Sequence, residues 1–295
     1  MSSKPLFPRV ALIGLGLIGA SLSLAMRRAG LAGHIAGHAR TEATRAKALD
    51  LGLVDNVHET AGDCVDGADL VIVCTPVGSY AAIGAEIGGR LKLGAIVTDV
   101  GSVKQAVIRD LGPHIPTGAH LVPAHPVAGT EHSGPESGFA ELFDGRWTIV
   151  TPAPGTNEAA IEKIVALWRG CGSETEIMEP GHHDLVLAIT SHLPHLIAYC
   201  IVGTATGLEE TTQREVIKFS AGGFRDFTRI AASDPVMWRD VFLNNREAVL
   251  EMLGRFSEDM TELQRAIRWG DGEKLQDVFT RTRAIRRGII DAKQA

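Results

Sequence analysis

Through residue 178, short apolar runs alternate with amphipathic stretches; beyond it only helical periodicity remains. Arg9–Gly14, RVALIG, has the continuous apolar character of a buried parallel strand. Leu15–Gly19 leads from it into ASLSLAMRRAG, a predicted helix with small residues first and Gly30 as its stop. His34–Ala39, Asp69–Pro76, Ala95–Gly101, Leu121-Val122, Arg146–Thr151 and Glu174–Met178 predict further strands. Tyr80–Leu91, Val103–Leu111, Ser137–Asp144 and Asn157–Cys171 predict helices, the last with Ile161, Ile164, Val165, Leu167 and Trp168 at helical spacing. Strands alternating with helices imply an α/β fold, a Rossmann-type, mostly parallel sheet covered on both faces.

Pro180-Gly181 marks a change of character and sets the expected division into domains 1–179 and 180–295. His182–Ala205 is a long apolar helix with a kink expected at Pro194. Gly222-Gly223 interrupts Phe219–Asp234, and a new helix follows Ser233-Asp234-Pro235. Val241–Leu263 and Leu275–Ile290 are amphipathic. The second domain is therefore expected to be all-α, and its spare apolar faces suit a homodimer interface.

The 295 residues fit two domains, and 45% hydrophobic with 22% charged residues is the balance of a soluble globular chain. A net charge of −6 gives no basic footprint for nucleic acid, so an acidic substrate would need local cations. No apolar run reaches the ~18 residues of a membrane span, and MSSKPLFPRV has no apolar signal core. Cys64, Cys74, Cys171 and Cys200 show no CxxC spacing and read as buried free thiols of a reducing compartment; the expected location is cytoplasmic.

These patterns place the chemistry. Gly14-Leu15-Gly16-Leu17-Ile18-Gly19 lies between a strand and a helix, the context that makes this spacing a dinucleotide site. Its glycines would serve a tight turn, close approach to pyrophosphate and close helix packing, with helix N–H groups from Leu17 and Ile18 onward facing the phosphates. The second strand ends in Ala39-Arg40-Thr41 without the Asp or Glu of a typical NAD site. A guanidinium matches a 2′-phosphate, so Arg40 and Thr41 favour NADP over NAD. Thr75-Pro76 forms another polar strand end near the cofactor.

Leu121–Gly134, LVPAHPVAGTEHSG, runs from a strand into a Gly-rich polar loop. His125 at its mouth is the candidate general base, with Thr130 behind it. Ser102, at the neighbouring strand end, either caps the helix after it or points its hydroxyl at cofactor and His125. Lys104 reads as solvated or ion-paired. Asp184, Ala188, Ser191, His192 and His195 share one helix face, a pattern that favours an anionic-substrate pocket over structural hydrogen bonding. A metal is disfavoured, because the histidines are spaced i, i+3 without H-E-x-x-H. Arg225 and Arg229 share a face, and one of them could clamp a carboxylate; a surface salt-bridge cluster is the competing reading.

With GLGLIGASL, TDVGSVK, PAHPVAGTEHSG, SHLPH and GGFRDFTRIAASDPVMW in this order, nearly the whole chain resembles the prephenate/arogenate (cyclohexadienyl) dehydrogenases of tyrosine biosynthesis. The resemblance implies oxidative decarboxylation of prephenate or arogenate, with hydride passing to NAD(P)+. It implies that His125 bonds the substrate's C4 hydroxyl and assists its deprotonation, that Ser102 supports this contact, and that Arg229 binds a substrate carboxylate. It implies that His192, Thr130 and Trp238 line the pocket, that Asp184 is an acidic gate, and that the helical domain forms an intertwined dimer. Nothing here resembles a chorismate mutase or an ACT domain, so any feedback by tyrosine is expected elsewhere, for instance by competition in the active site. A β-hydroxyacid dehydrogenase would show G-x-x-G-x-G-x-x-x-K after residue 180, and the chain lacks it. A non-catalytic NADP sensor would not need His125, Ser102 and Arg229 together.

Overall fold

A computed structural model describes residues 4–207, 215, 218–219 and 221–291. Two compact units are distinguished, Met1–Arg246 and Glu247–Ala295. In the first, β1 (Phe7–Ile13), β2 (Ala32–His38), β3 (Asn56–His58), β4 (Leu70–Val73), β5 (Ile96–Asp99) and β6 (His120–Leu121) form a parallel sheet in the order β3-β2-β1-β4-β5-β6. This is the doubly wound order of dinucleotide-binding folds. The connecting helices are α1 (Leu17–Arg28), α2 (Glu42–Asp50), α3 (Ala61–Val65), α4 (Tyr80–Ile87) and α5 (Lys104–Leu111). β4 and β5 are buried at every position because helices cover both faces. Leu12, Leu22, Met26 and Trp168 belong to the core on one side, and Ile13, Val71, Tyr80 and Val107 to the core on the other.

The sheet does not continue as expected. The Val122 N–H donates to the Val97 carbonyl at 2.9 Å, but the next donor in this register, the Ala124 N–H, goes to the Asp99 side chain at 3.2 Å instead of continuing the backbone ladder. The chain turns away, and β7 (Ala124–Pro126) pairs antiparallel with β8 (Trp147–Val150), itself parallel to β9 (Glu174–Ile177), in a separate three-stranded sheet. α6 (Glu158–Gly170) joins β8 to β9. The helix expected over Ser137–Asp144 is absent. Pro135–Ser137 makes one 3-10 turn, and turns follow to Gly145. This segment lies on α1: a Cβ on Gly138 would stand 2.5 Å from Ala20, and the Phe139 N–H donates to Ser21 Oγ at 3.1 Å instead of into a helix.

Among the described residues beyond Ile177 all regular structure is helical. α7 (Pro180–Leu187) passes through a π-turn at Ala188–His192 into α8 (Leu193–Thr206), which accommodates Pro194. Pro180–Thr206 is long and apolar enough to cross a membrane by length and composition, correcting the expectation that no run reaches that length. Its buried His183, Asp184 and His192 hydrogen-bond to His125, to the start of α5 and to Asn245. α9 (Gly222–Thr228), a 3-10 turn at Arg229–Ala232, and α10 (Pro235–Asn244) follow. The helix expected from Val241 to Leu263 breaks at Asn245, whose side-chain amide meets the Asp184 carbonyl at 2.8 Å and His192 Nδ1 at 3.0 Å. Val103 and Ala106 of the α5 region pack with Trp238 and Val241.

The second unit is a helical hairpin, α11 (Arg246–Trp269) and α12 (Gly272–Asp291), turned at Gly270 with φ +68°. It leaves Ile267, Trp269, Phe279 and Ile285 exposed. The four cysteines are free; Cys64 and Cys171 are buried, whereas Cys200 is exposed, against expectation.

Candidate active site

The glycine turn fits a dinucleotide. Gly14 has φ +100°, and a Cβ there would lie 2.7 Å from the Cys74 backbone. A Cβ on Gly19 would collide with the Gly14 carbonyl, so helix and turn pack without one. Gly16 faces open space, and as N-cap of α1 it offers no side chain to the helix N–H groups. Unsatisfied N–H groups at the positive end of α1 suit a pyrophosphate. Thr75 packs against Gly14, Pro76 is exposed beside it, and the Gly14 N–H donates to the His38 carbonyl at 2.8 Å, which brings the end of β2 alongside. Arg40 and Thr41 are exposed there; the Thr41 hydroxyl caps α2 through the Thr44 N–H.

A cavity of about 570 Å³ gathers Ser102, His125, Thr130, Glu131, Ser191, His195, Arg229 and Trp238. A second cavity of about 340 Å³ is lined by Leu17 and Ile18 of the glycine turn and shares Ala128–Glu131, Ser233 and Met237 with the first. The phosphate-facing helix end and the His125 chamber therefore adjoin.

His125 sits in β7, buried to 8% exposure. Its Nδ1 meets His183 Nε2 at 2.9 Å, and His183 Nδ1 meets Asp184 Oδ1 at 2.9 Å. Burial pushes the His125 imidazole well below its ordinary value, with His183, Lys104 and His192 adding to the effect. A base held neutral is the form that can accept a proton. Behind the wall, Lys104 is fully buried and donates from Nζ to Asp99 at 2.6 Å and to the Ala124 carbonyl at 2.7 Å. Of the two readings of this lysine, the paired one holds. Desolvation pushes its ammonium down while Asp99 opposes.

Ser102 does not cap α5. The cap comes from α7: Asp184 accepts the Lys104 N–H at 2.7 Å and the Gln105 N–H at 2.9 Å. Ser102 is left to line the cavity with His125. Arg229 donates to Glu131 at 2.8 Å, and Thr130 Oγ1 accepts the His132 N–H at 3.3 Å. Trp238 stacks on His195 with ring centroids 3.6 Å apart. Asp184 and His192, expected as lining groups, both stand behind the wall. Asp184 is spent on α5 and His183, and His192 on Asn245, with burial pushing His192 down to about 4. Sequence reading missed His183, Glu131 and Asn245. A His-Asp pair within an apolar helix was the available signal for the first.

Residues 22–177 match the model of the prephenate dehydrogenase nucleotide-binding domain, and residues 179–281 that of the prephenate dehydrogenase dimerization domain. The chain belongs to the prephenate dehydrogenase family. It is 41% identical to the cyclohexadienyl dehydrogenase of Zymomonas mobilis over 280 residues, 95% of each chain. It is 32% identical to the prephenate dehydrogenase of Bacillus subtilis over 95% of this chain and 76% of that one. The crystal structure of Aquifex aeolicus prephenate dehydrogenase with hydroxyphenyl propionate and NAD+ superposes with a TM-score of 0.89 at 33% identity, covering 96% of this chain and 98% of that one. The chain is accordingly an NAD(P)-dependent oxidoreductase of this family.

Proposed function

We propose that the protein oxidatively decarboxylates a cyclohexadienyl dicarboxylate, prephenate or arogenate, with His125 accepting the proton of the C4 hydroxyl. The observation that carries this reading is one cavity holding His125, Ser102 and Arg229 beside the glycine turn. A bound nicotinamide dinucleotide supplies the hydride acceptor. The residues that would hold it are Gly14, Gly16, Leu17, Ile18 and Gly19 at the phosphates, Thr75 and Pro76 beside them, and Arg40 and Thr41 at the ribose.

Oxidation at C4 turns the alcohol into a carbonyl, so the hydroxyl proton must leave as the C–H bond breaks. Neutral His125 takes it at the ring nitrogen not bound to His183, and Ser102 steadies the hydroxyl. Loss of the ring carboxylate as CO2 then restores aromaticity. Arg229 clamps a substrate carboxylate, while Thr130 and Trp238 shape the chamber; holding the substrate in register carries much of the rate. Asp184 and His192 support the wall from behind. For the cofactor we propose NADP over NAD, because Arg40 stands where a ribose-binding carboxylate would repel a 2′-phosphate.

We also propose a cytoplasmic homodimer divided functionally into 1–179 and 180–295. The match to a dimerization domain and the exposed Ile267, Trp269, Phe279 and Ile285 support the pairing. Steady-state kinetics with prephenate and arogenate, each against NAD+ and NADP+, tests the whole reading. Turnover of neither substrate with either cofactor would overturn it.

A further inference from the structure

We propose that His183 is a positioning residue that fixes which nitrogen of His125 carries the proton, with Asp184 setting the direction of the chain. The proposal rests on the reading of His125 as proton acceptor and adds to it the part that makes that role possible.

The argument is one of donors and acceptors. A carboxylate only accepts, so the 2.9 Å contact to Asp184 places the hydrogen of His183 on Nδ1. Burial pushes His183 down, with Lys104 adding and Asp184 opposing, so the ring is neutral and its Nε2 presents a lone pair. That lone pair faces His125 Nδ1 at 2.9 Å, and the rings meet edge-on at 72°. His125 must therefore carry its hydrogen on Nδ1. Its Nε2 is left as the basic nitrogen, on a residue that lines the cavity. An isolated histidine side chain favours the opposite tautomer, so the protein imposes this one.

Asp184 is itself held fast. Both its oxygens accept N–H groups at the start of α5, and Asn245 donates to its carbonyl at 2.8 Å. α5 begins two residues after Ser102, so one carboxylate anchors the serine loop directly and the base through His183. When His125 Nε2 takes the hydroxyl proton, the substrate O–H bond breaks and an N–H bond forms. The positive charge then lies one imidazole away from Asp184, which favours it. The charged and titratable groups facing the pair are Asp184, Lys104, His192 and Asp99.

The test compares His183→Leu, His183→Gln and His125→Asn with prephenate at saturating cofactor, with dinucleotide binding and circular dichroism as checks on folding. His183→Leu should lower kcat by ~10²–10³-fold with KM nearly unchanged, and should move the acid limb of the kcat–pH profile. His183→Gln can donate to Asp184 and accept from His125, and should recover to within ~10-fold of the natural enzyme. ¹⁵N NMR of the natural enzyme should show His125 protonated on Nδ1 and bare on Nε2. A His125 protonated on Nε2 overturns the proposal even if the leucine variant does not fold. So does a His183→Leu enzyme with unchanged kcat, or a glutamine variant no better than leucine, while His125→Asn is inactive. Full activity in His125→Asn would instead overturn the base assignment beneath it.

Discussion

The Arg229 guanidinium donates to the Glu131 carboxylate at 2.8 Å, joining residues 98 positions apart across the wall of one cavity. The guanidinium is exposed and the carboxylate partly so, which leaves the pair screened by solvent, and on the proposed reading a substrate carboxylate takes Glu131's place. Arg229→Ala should raise KM for prephenate by ~10–100-fold with a smaller change in kcat, as expected when binding common to ground and transition states is removed. Glu131→Gln should lower that KM a few-fold by removing the competing carboxylate. Steady-state kinetics on both variants checks this; an effect of Arg229→Ala on kcat alone would contradict a clamp.

His125→Asn keeps a polar group in β7 but removes the imidazole proposed as proton acceptor, and kcat should fall by ~10²–10⁴-fold with modest change in KM. Because burial holds the natural imidazole well below its ordinary value, it stays unprotonated through neutral pH. The acid limb of kcat/KM attributable to this group should therefore lie below pH ~6.5. A pH–rate profile showing that limb above neutrality would remove His125 from the role.

Much of the sheet was legible because buried parallel strands are continuous apolar runs: Asp69–Pro76 contains β4 and Ala95–Gly101 contains β5. β3 was not legible, since Asn56–His58 is a polar three-residue edge. The helix expected at Ser137–Asp144 failed because Gly138 must lie flat on α1, a tertiary demand with no local signature. Of the candidate site residues, His125, Ser102, Thr130, Arg229 and Trp238, named from motif context or from the family resemblance, share one cavity. Asp184 and His192 were misplaced because spacing on a helix gives a face but not its partner. The folded chain divides that face: Ser191 and His195 line the cavity, whereas Asp184 meets α5 and His192 meets Asn245.

Lys104 and Asp99 form a fully buried ion pair under β7, with Asp99 also accepting the Gly101 N–H at 2.7 Å and the Tyr80 hydroxyl at 3.2 Å. Removing only the cation strands a buried carboxylate and an unpaired Ala124 carbonyl. Lys104→Met should cost about 3–5 kcal/mol in urea denaturation, far more than a surface lysine. Loss of less than ~1 kcal/mol would mean that the pair contributes little beyond its packing.

Arg40→Asp should shift cofactor choice toward NAD. At the end of β2 a carboxylate can accept from the ribose hydroxyl of NAD and repels the 2′-phosphate of NADP. The ratio of kcat/KM for NADP+ to that for NAD+ should fall by at least ~10-fold, with KM for prephenate unchanged. An unchanged ratio would leave Arg40 as a solvent-facing residue.

Acid should destabilise the fold through its buried imidazoles. His125, His183 and His192 all have folded values depressed from 6.5, with desolvation the largest cause in each. The unfolded chain therefore binds more protons below 6.5 than the folded one. Stability from these groups is fully present above that pH and is lost as pH falls toward the folded values. For His192 the fall from 6.5 to about 4 corresponds to about 3 kcal/mol, lost across that window. Urea midpoints should stay level from pH 8 to ~7 and drop steeply below ~6. His192→Asn, which keeps a polar group near Asn245 but cannot take up a proton, should flatten that drop; an equally steep decline in the variant would assign the acid sensitivity to other groups.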